Sequence, residues 1–301
     1  MLVFMVGTGR SGSSFLHEVL VRHPEAGFVS NIDDRLPALN LLGRWNNQLH
    51  RHLPPSLTTK GRVRFAPSEG YRLLAHRVSP VLGRSPRDLT AGDVTPWLAE
   101  RLSRFFTERI EAQASTSFIH KLTGWPRVGF MHHAFPDARF IHIVRDGRAV
   151  ANSFLQMPWW SEYQGPPGWR WGPLPAPYHA EWERSGRSFV VLAGITWKLL
   201  IDASSAAQGA VPASQWMEVR YEDVLADPRP HVERMVRFTG LEWDDRFEAE
   251  FAKHTWRTGR REAFRRDIDP DNLAALESSL ADHLRRYGYE TKTTAADNPA
   301  K

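Results

Sequence analysis

Gly7, Gly12, Ser13 and Ser14 stand within VGTGRSGSSFLHEVL, residues 6–20, at the spacing of a loop that holds phosphate. In a strand–loop–helix, backbone N–H groups converge on the loop and the helix start adds partial positive charge. Small residues let an anion approach that backbone. Gly9, Ser11, Gly12, Ser13 and Ser14 supply them, and Arg10 adds a guanidinium with several donors. A Walker A loop requires lysine at position 13, where this chain has Ser13. The competing reading of the loop is an ordinary Gly/Ser turn entering a helix.

A second constellation lies in FPDARFIHIVRDGRAVANSF. Arg145 ends an apolar run of strand character, and Ser153 follows in a helical pattern whose buried face is marked by Val150 and Phe154. Both donors then flank the C-terminal edge of a sheet, where open α/β sheets bind ligands. The alternative is local: Arg145 pairs with Asp146, and Ser153 bonds a carbonyl of its own helix.

These residues need a frame to hold them. Leu2–Val6, 117–122 and 138–146 read as buried strands, 27–31 as a short one, and 216–223 as another. Phe15, Leu16, Val19 and Leu20 share one face of a helix, and 147–155 is helical. Asp227-Pro228 and Asp269-Pro270 are helix starts, with Gly240 and Gly288 as stops. Leu273, Leu276, Leu280, Leu284 and Tyr287 form an amphipathic stripe. Strands alternating with helices predict an α/β fold: one domain over 1–290, with a central, mostly parallel sheet flanked by helices and a P-loop-like strand–loop–helix at the N-terminus. Residues 291–301 are polar and expected to be disordered. Residues 157–182 hold five of the twelve tryptophans and six of the 21 prolines, too many for a regular helix or central strand. This stretch is either a packed surface loop or a wall that meets an acceptor.

Taken together, GTGRSGSS at 7–14, Arg145 with Ser153, and VRYEDVLADP at 219–228 resemble, in this order, the sulfotransferases that use 3′-phosphoadenosine 5′-phosphosulfate (PAPS). The resemblance implies that the loop, with Arg10, holds the 5′-phosphosulfate, that Arg145 and Ser153 hold the 3′-phosphate, and that Tyr221 lies near the adenine. It implies in-line transfer of a sulfuryl group to a hydroxyl, or to an amine, of a small-molecule, lipid or glycan acceptor. Adenosine 3′,5′-bisphosphate leaves, and no metal is required. Relatives place a carboxylate or a histidine as base, in several cases an acid after the second strand. Asp33 and Asp34 are the candidates here, with the alternative that the pair caps a helix near Leu36. His120, beside Lys121, is the runner-up. A basic stretch, WRTGRREAFRR at 256–266, offers Arg260 and Arg261 to the 3′-phosphate, against the alternative of a solvated helix face.

Composition bounds these readings. The chain has 301 residues and no cysteine, which excludes disulfides, thiolate metal sites and a cysteine nucleophile. Its net charge of +5, from 39 Lys+Arg against 34 Asp+Glu, suits an anionic ligand and argues against nucleic acid, for want of a lysine-rich run or repeated basic stripe. The first apolar run stops at Gly7, too short for a signal peptide or membrane span, so a cytoplasmic protein without a transmembrane segment is expected. His132 and His133 are adjacent and would point apart on a helix, so no metal cluster is expected. Two other classes compete: a P-loop nucleotide kinase or NTPase, and a non-catalytic protein that binds anions or nucleic acid.

Overall fold

The computed structural model describes residues 1–58, 65–256 and 261–289. Packing divides the chain into two compact units, Met1–Val144 with Ala203–Arg257, and Arg145–Asp202 with Thr258–Lys301. No change of composition marks the crossings. The α/β class and the parallel sheet agree with the sequence reading.

The first unit carries the sheet. Its strands are β1 (Leu2–Gly7), β2 (Ala26–Gly27), β3 (Ser117–Thr123), β4 (Arg139–Val144) and β5 (Trp216–Arg220). All neighbours run parallel, in the order β2-β3-β1-β4-β5. Side chains alternate between faces along a strand, and here both faces are apolar, as a covered parallel sheet requires. Phe4, Val6, Phe118, Leu122 and Phe140 pack one way, against Leu102 and Phe106 of the helix Pro96–Gln113. Val3, Met5, Ile119, Ile141 and Ile143 pack the other way, with Leu16 and Val19 of α1 (Ser13–Leu20) and Met235 of the helix Pro228–Phe238.

The chain leaves β1 toward β3 and β2, then returns to its other side for β4 and β5. β1 therefore lies at the topological switch point, where the connections of an open sheet diverge and leave a crevice at the strand ends. In register, Gly7 pairs with Thr123 and with Ile143, so the loops after β1 and β3 start from the same edge.

Two strands are shorter than the sequence suggests. β2 ends at Gly27 because Ser30 caps α2 (Asn31–Arg35), in a Ser-x-x-Asp box closed by Asp33. β5 ends at Arg220, and Tyr221 opens the helix Tyr221–Ala226.

The second unit is helical. Asp146 caps the helix Gly147–Leu155, accepting from the Arg148 amide at 2.9 Å. The Arg148 guanidinium is almost fully buried; it binds Asp146 at 2.7 Å and Glu277 at 2.7 Å and lies over the Phe264 ring. Glu277 belongs to the helix Pro270–Arg286, which Asp269 caps as its sequence indicates. Leu276 of that helix sits where a Cβ on Gly194 would be, within the helix Phe189–Gln208. This last helix is the one among the described residues long and apolar enough to cross a membrane by composition, yet 67% of its apolar window is buried inside the protein. The segment 157–182 ends in a regular helix, which its proline and tryptophan count argues against. It makes two short 3-10 turns, Glu162–Gln164 and Pro166–Gly168, then enters the helix Ala176–Arg184. Trp160, Trp169 and Trp182 are buried, the last two ring to edge at 5.6 Å. The tail 291–301 lies outside the described residues.

Candidate active site

The loop after β1 has the backbone of an anion cradle. Gly9, Arg10 and Gly12 all take left-handed φ, 78°, 57° and 87°. Such conformations turn successive N–H groups toward one concavity. At Arg10, a residue with a side chain, that conformation is strained, and strain of this kind gathers at functional sites. A Cβ on Gly12 would fall inside 3.0 Å of the Tyr221 ring, so only glycine fits beneath Tyr221. α1 then starts at Ser13 with no side chain capping its N-terminus. Ser11 Oγ is buried and has no protein partner. An uncapped helix start and an orphaned hydroxyl in one loop are what a site for a bound anion leaves behind.

Alternation along β3 sends His120 and Lys121 to opposite faces. His120 enters the aromatic core, edge-on to Phe4 and Phe106 at 6.3 Å and 5.4 Å. Lys121 turns toward α1. Its Nζ donates to Ser14 Oγ at 2.6 Å and lies 3.1 Å from Glu69 Oε1. Thr123 Oγ1 also donates to Glu69 Oε1, at 3.1 Å.

Glu69 arrives from a distant part of the chain, and its placement is well fixed. The Ser68 amide donates to Val29 O and the Asn31 amide to Ala66 O, both at 2.8 Å, laying 66–68 beside 29–31. Two residues on, Tyr71 Oη both donates to the Thr123 carbonyl and accepts from the Thr123 amide, each at 2.9 Å. Glu69, Lys121, Ser14, Ser68, Asn31 and Glu18 line a cavity of about 120 Å³. Burial raises the Glu18 carboxyl above its usual range, and only Arg22 opposes it.

The residues expected to supply the base have other partners. Asp33 is buried; its Oδ2 accepts from the Ser30 amide, Ser30 Oγ and Asn46 Nδ2, at 2.8, 2.8 and 2.7 Å. Burial raises its carboxyl despite these bonds. Asp34 Oδ1 accepts from the Arg72 and Leu73 amides at 2.8 and 3.0 Å, capping the helix Tyr71–Arg77. His120 is fully buried and neither ring nitrogen has a partner; burial pushes its pKa down to about 3. None of these three lines the cavity that Glu69 and Lys121 share. Two acids do, Glu69 and Glu18, and neither is among the residues the sequence reading singles out. One signal was available: Glu69 is the first acidic residue after Asp34.

Of the other expected residues, Arg145 directly follows β4 and Ser153 is half-buried on the helix Gly147–Leu155. Both belong to the second unit. Arg261 is exposed, and Arg260 lies outside the described residues.

Residues 3–245 match the family model described as the Sulfotransferase family. The chain belongs to the sulfotransferase family. This sulfotransferase is 22% identical over 322 residues to the omega-hydroxy-beta-dihydromenaquinone-9 sulfotransferase Stf3 of Mycobacterium bovis, a match covering 97% of this chain and 76% of that protein. Its fold is similar to that of sulfotransferase STF9 from Mycobacterium avium, with TM-score 0.57, 12% identity, and coverage of 96% of this chain and 77% of that one. It is similar also to the sulfotransferase domain from the curacin biosynthetic pathway, with TM-score 0.52, 13% identity, and coverage of 96% and 97%. At such identities the two structures speak for the fold alone, and the α/β sheet with its N-terminal strand–loop–helix is that fold.

Proposed function

We propose that this sulfotransferase moves a sulfuryl group from PAPS to a hydroxyl of a small-molecule, lipid or glycan acceptor. The observation that carries the reading is Lys121, whose ammonium joins the first turn of the anion loop to Glu69 at the wall of one cavity. PAPS supplies an activated sulfuryl group on a phosphate leaving group. Everything else is asked of the chain. The amides of Gly9–Ser14 and the Arg10 guanidinium hold the phosphosulfate and neutralise the charge that grows on the departing oxygen. Arg145 and Ser153 take the 3′-phosphate, and Tyr221, packed on Gly12, offers a face to the adenine. Arg260 and Arg261 are further candidates for the 3′-phosphate.

Glu69 is assigned as the base that takes the acceptor's proton. Lys121 and Thr123 hold its Oε1, which fixes the carboxylate at the wall of the cavity. Lys121 also sets the carboxylate and the loop in fixed relation, as near-attack alignment demands. Glu18, one turn further along α1 on the same cavity, is the second candidate. The mycobacterial relative's name identifies its acceptor as a hydroxylated menaquinone, which favours the lipid class among the acceptors considered.

The kinase reading retains one point in its favour, since Lys121 brings to Ser14 the ammonium that position 13 lacks. A ligand comparison separates the two. A ligand that binds only the folded state raises the melting temperature. Adenosine 3′,5′-bisphosphate should raise it well above the shift given by AMP, and ATP with magnesium should not exceed AMP. Equal shifts from the bisphosphate and AMP would remove the 3′-phosphate site, and a dominant ATP shift would restore the kinase.

A further inference from the structure

The segment between the two walls of the cavity, residues 35–57, is built inside out. Leu36, Leu39, Leu41, Trp45 and Leu57 are among the large apolar side chains most exposed in the molecule, Leu39 at 65% and Trp45 at 62%. Two of its asparagines point inward instead. Asn46, on α3 (Asn46–His52), is buried and donates to Asp33 Oδ2 and to Phe28 O. Asn47 Nδ2 donates to the carbonyls of Val21, His23 and Ala26.

Looseness does not explain the exposure, because the backbone is pinned from behind. Arg77 donates to the Pro37 and Ala38 carbonyls, at 3.0 and 2.9 Å, and Gln113 Nε2 to the Leu42 carbonyl at 2.9 Å. Arg109 Nη2 donates to Asn40 Oδ1 at 3.3 Å. A surface chain segment ordinarily keeps its apolar side chains in and its polar ones out. Single exposed leucines are unremarkable. Five on one short anchored segment, with the asparagines turned in, call for an apolar medium outside.

Charge says which medium. From Arg35 to Ser68 the sequence holds six Lys or Arg and no Asp or Glu, while all 301 residues net only +5. Arg35 and Arg44 are exposed beside the apolar side chains. Arg51 is turned in to Glu250, and exposed Trp and Leu beside the exposed Arg35 and Arg44 match the headgroup region of a bilayer that carries anionic lipid. Apolar side chains and the indole enter the interface there, and Arg stays at the charged surface.

We propose that residues 35–57 dock this protein on the surface of a membrane containing anionic lipid. The segment joins Asn31 to Ser68 along the chain, and both line the cavity, so docking ties the site to whatever the bilayer presents. Docking is independent of the donor, and its test contains none, so it can fail while sulfuryl transfer stands, or hold while transfer fails.

The test is flotation of the whole chain with vesicles of phosphatidylcholine alone, and of phosphatidylcholine with phosphatidylglycerol. Three proteins are compared: the parent, the double variant Leu39→Ser/Trp45→Ser, and the double variant Arg35→Gln/Arg44→Gln. All four positions are exposed, so melting temperatures should agree, and that agreement is measured first. The parent should float with the mixed vesicles. The apolar variant should bind about tenfold or more weakly to both kinds. The arginine variant should bind several-fold more weakly to the mixed vesicles and no differently to phosphatidylcholine. Failure of the parent to float overturns the proposal, as does parental binding by the apolar variant. Sedimentation velocity covers the remaining case: self-association lost on Trp45→Ser would assign the face to a second copy of the chain and overturn it too.

Discussion

Lys121 Nζ donates to Ser14 Oγ across 2.6 Å, so an ammonium carried by β3 ends at the first turn of the helix that opens the anion loop. Its other partner, Glu69 Oε1, stands 3.1 Å away. The two contacts make one unit of loop, cation and carboxylate.

That unit gives the first prediction. Glu69→Gln keeps the shape and removes the basicity, so transfer should fall by about 10²–10⁴, the usual contribution of a positioned base. Binding of adenosine 3′,5′-bisphosphate should survive. Glu18→Gln should stay within a few-fold of the parent. Single-turnover transfer to a competent acceptor, with nucleotide binding measured on the same preparations, checks both. Parental transfer by Glu69→Gln together with loss in Glu18→Gln moves the base to α1.

Asp33 and Asp34 should report on stability. Asp34→Ala removes the acceptor for two amides at the start of the helix Tyr71–Arg77, a cap loss of about 0.5–2 kcal/mol. Asp33→Ala leaves the buried Ser30 amide and Asn46 without their acceptor, about 1–3 kcal/mol. Urea unfolding measures both. A variant of either that keeps its stability and loses transfer would return the base to this pair.

Gly12→Ala should abolish nucleotide binding. The new Cβ meets the Tyr221 ring and requires φ of 87°, so the loop must move. Gly12→Ala/Tyr221→Ala relieves the clash and leaves the backbone strain of about 1–2 kcal/mol together with the loss of the ring. Calorimetric titration with adenosine 3′,5′-bisphosphate should therefore find partial recovery in the double variant. No recovery would mean that the left-handed backbone, or the lost Tyr221 ring, matters more than the clash.

Acid sensitivity follows from the buried histidines. Burial pushes His17, His50 and His120 down to about 3 and His254 to about 4, from an ordinary value of 6.5. The folded pKa lies below the unfolded one, so the folded state resists protonation. The stability is present above about pH 6.5 and is lost as pH falls toward 3. Each such group steepens the loss by up to about 1.4 kcal/mol per pH unit. His120→Leu should remove one proton's worth of that slope between pH 6 and pH 4 (a range set by about these pKa values) while keeping transfer, because the ring packs in the aromatic core and does not line the cavity. Urea midpoints across that range, parent against variant, decide it; an unchanged slope would mean that His120 is not held neutral.

Arg148→Met tests the second unit. The guanidinium is shared by two carboxylates, Asp146 and Glu277, with Arg148 and Glu277 both largely buried. Removing it takes the cation from both, and a broken buried pair costs about 3–5 kcal/mol. Removing one of the two negative charges with Glu277→Gln in the same chain should recover part of the loss in a denaturant titration. Additive losses in the double variant would show that the two carboxylates do not share the cation.

Much of this frame was legible because it depends on local pattern. β1 is an uninterrupted apolar run, β3 and β4 are mostly apolar ones, and Asp269-Pro270 carries its cap and first turn in two letters. The glycine loop was legible for the same reason. Glu69 was not, since its place depends on 66–68 pairing with 29–31 and on Tyr71 holding Thr123, contacts far apart in the chain. The split between His120 and Lys121 was open to reading: neighbours on a strand face opposite ways, and only one of them could share a cavity with the loop. The Ser30-x-x-Asp33 box was also visible, and pointed to a cap before it pointed to a base. The tryptophans of 157–182 gave composition without period, so their burial had no local sign.

The helix Phe189–Gln208 has a mean hydropathy of 1.4 over its apolar window, and much of what covers it comes from the last described helix. Leu276 fills the notch at Gly194, the Ser279 carbonyl takes Lys198, and His283 takes Asp202. During synthesis these partners leave the ribosome some 75–90 residues after the helix they complete, a lag set by about their separation in sequence. For that interval the side of the helix that faces Leu276, Ser279 and His283 lacks its cover, while Trp197 can already pack on Gly147 and Lys198 on Glu181. Holding chaperones should therefore engage this protein late in translation, and a premature stop ahead of Pro270 should yield an aggregating fragment and no shortened enzyme.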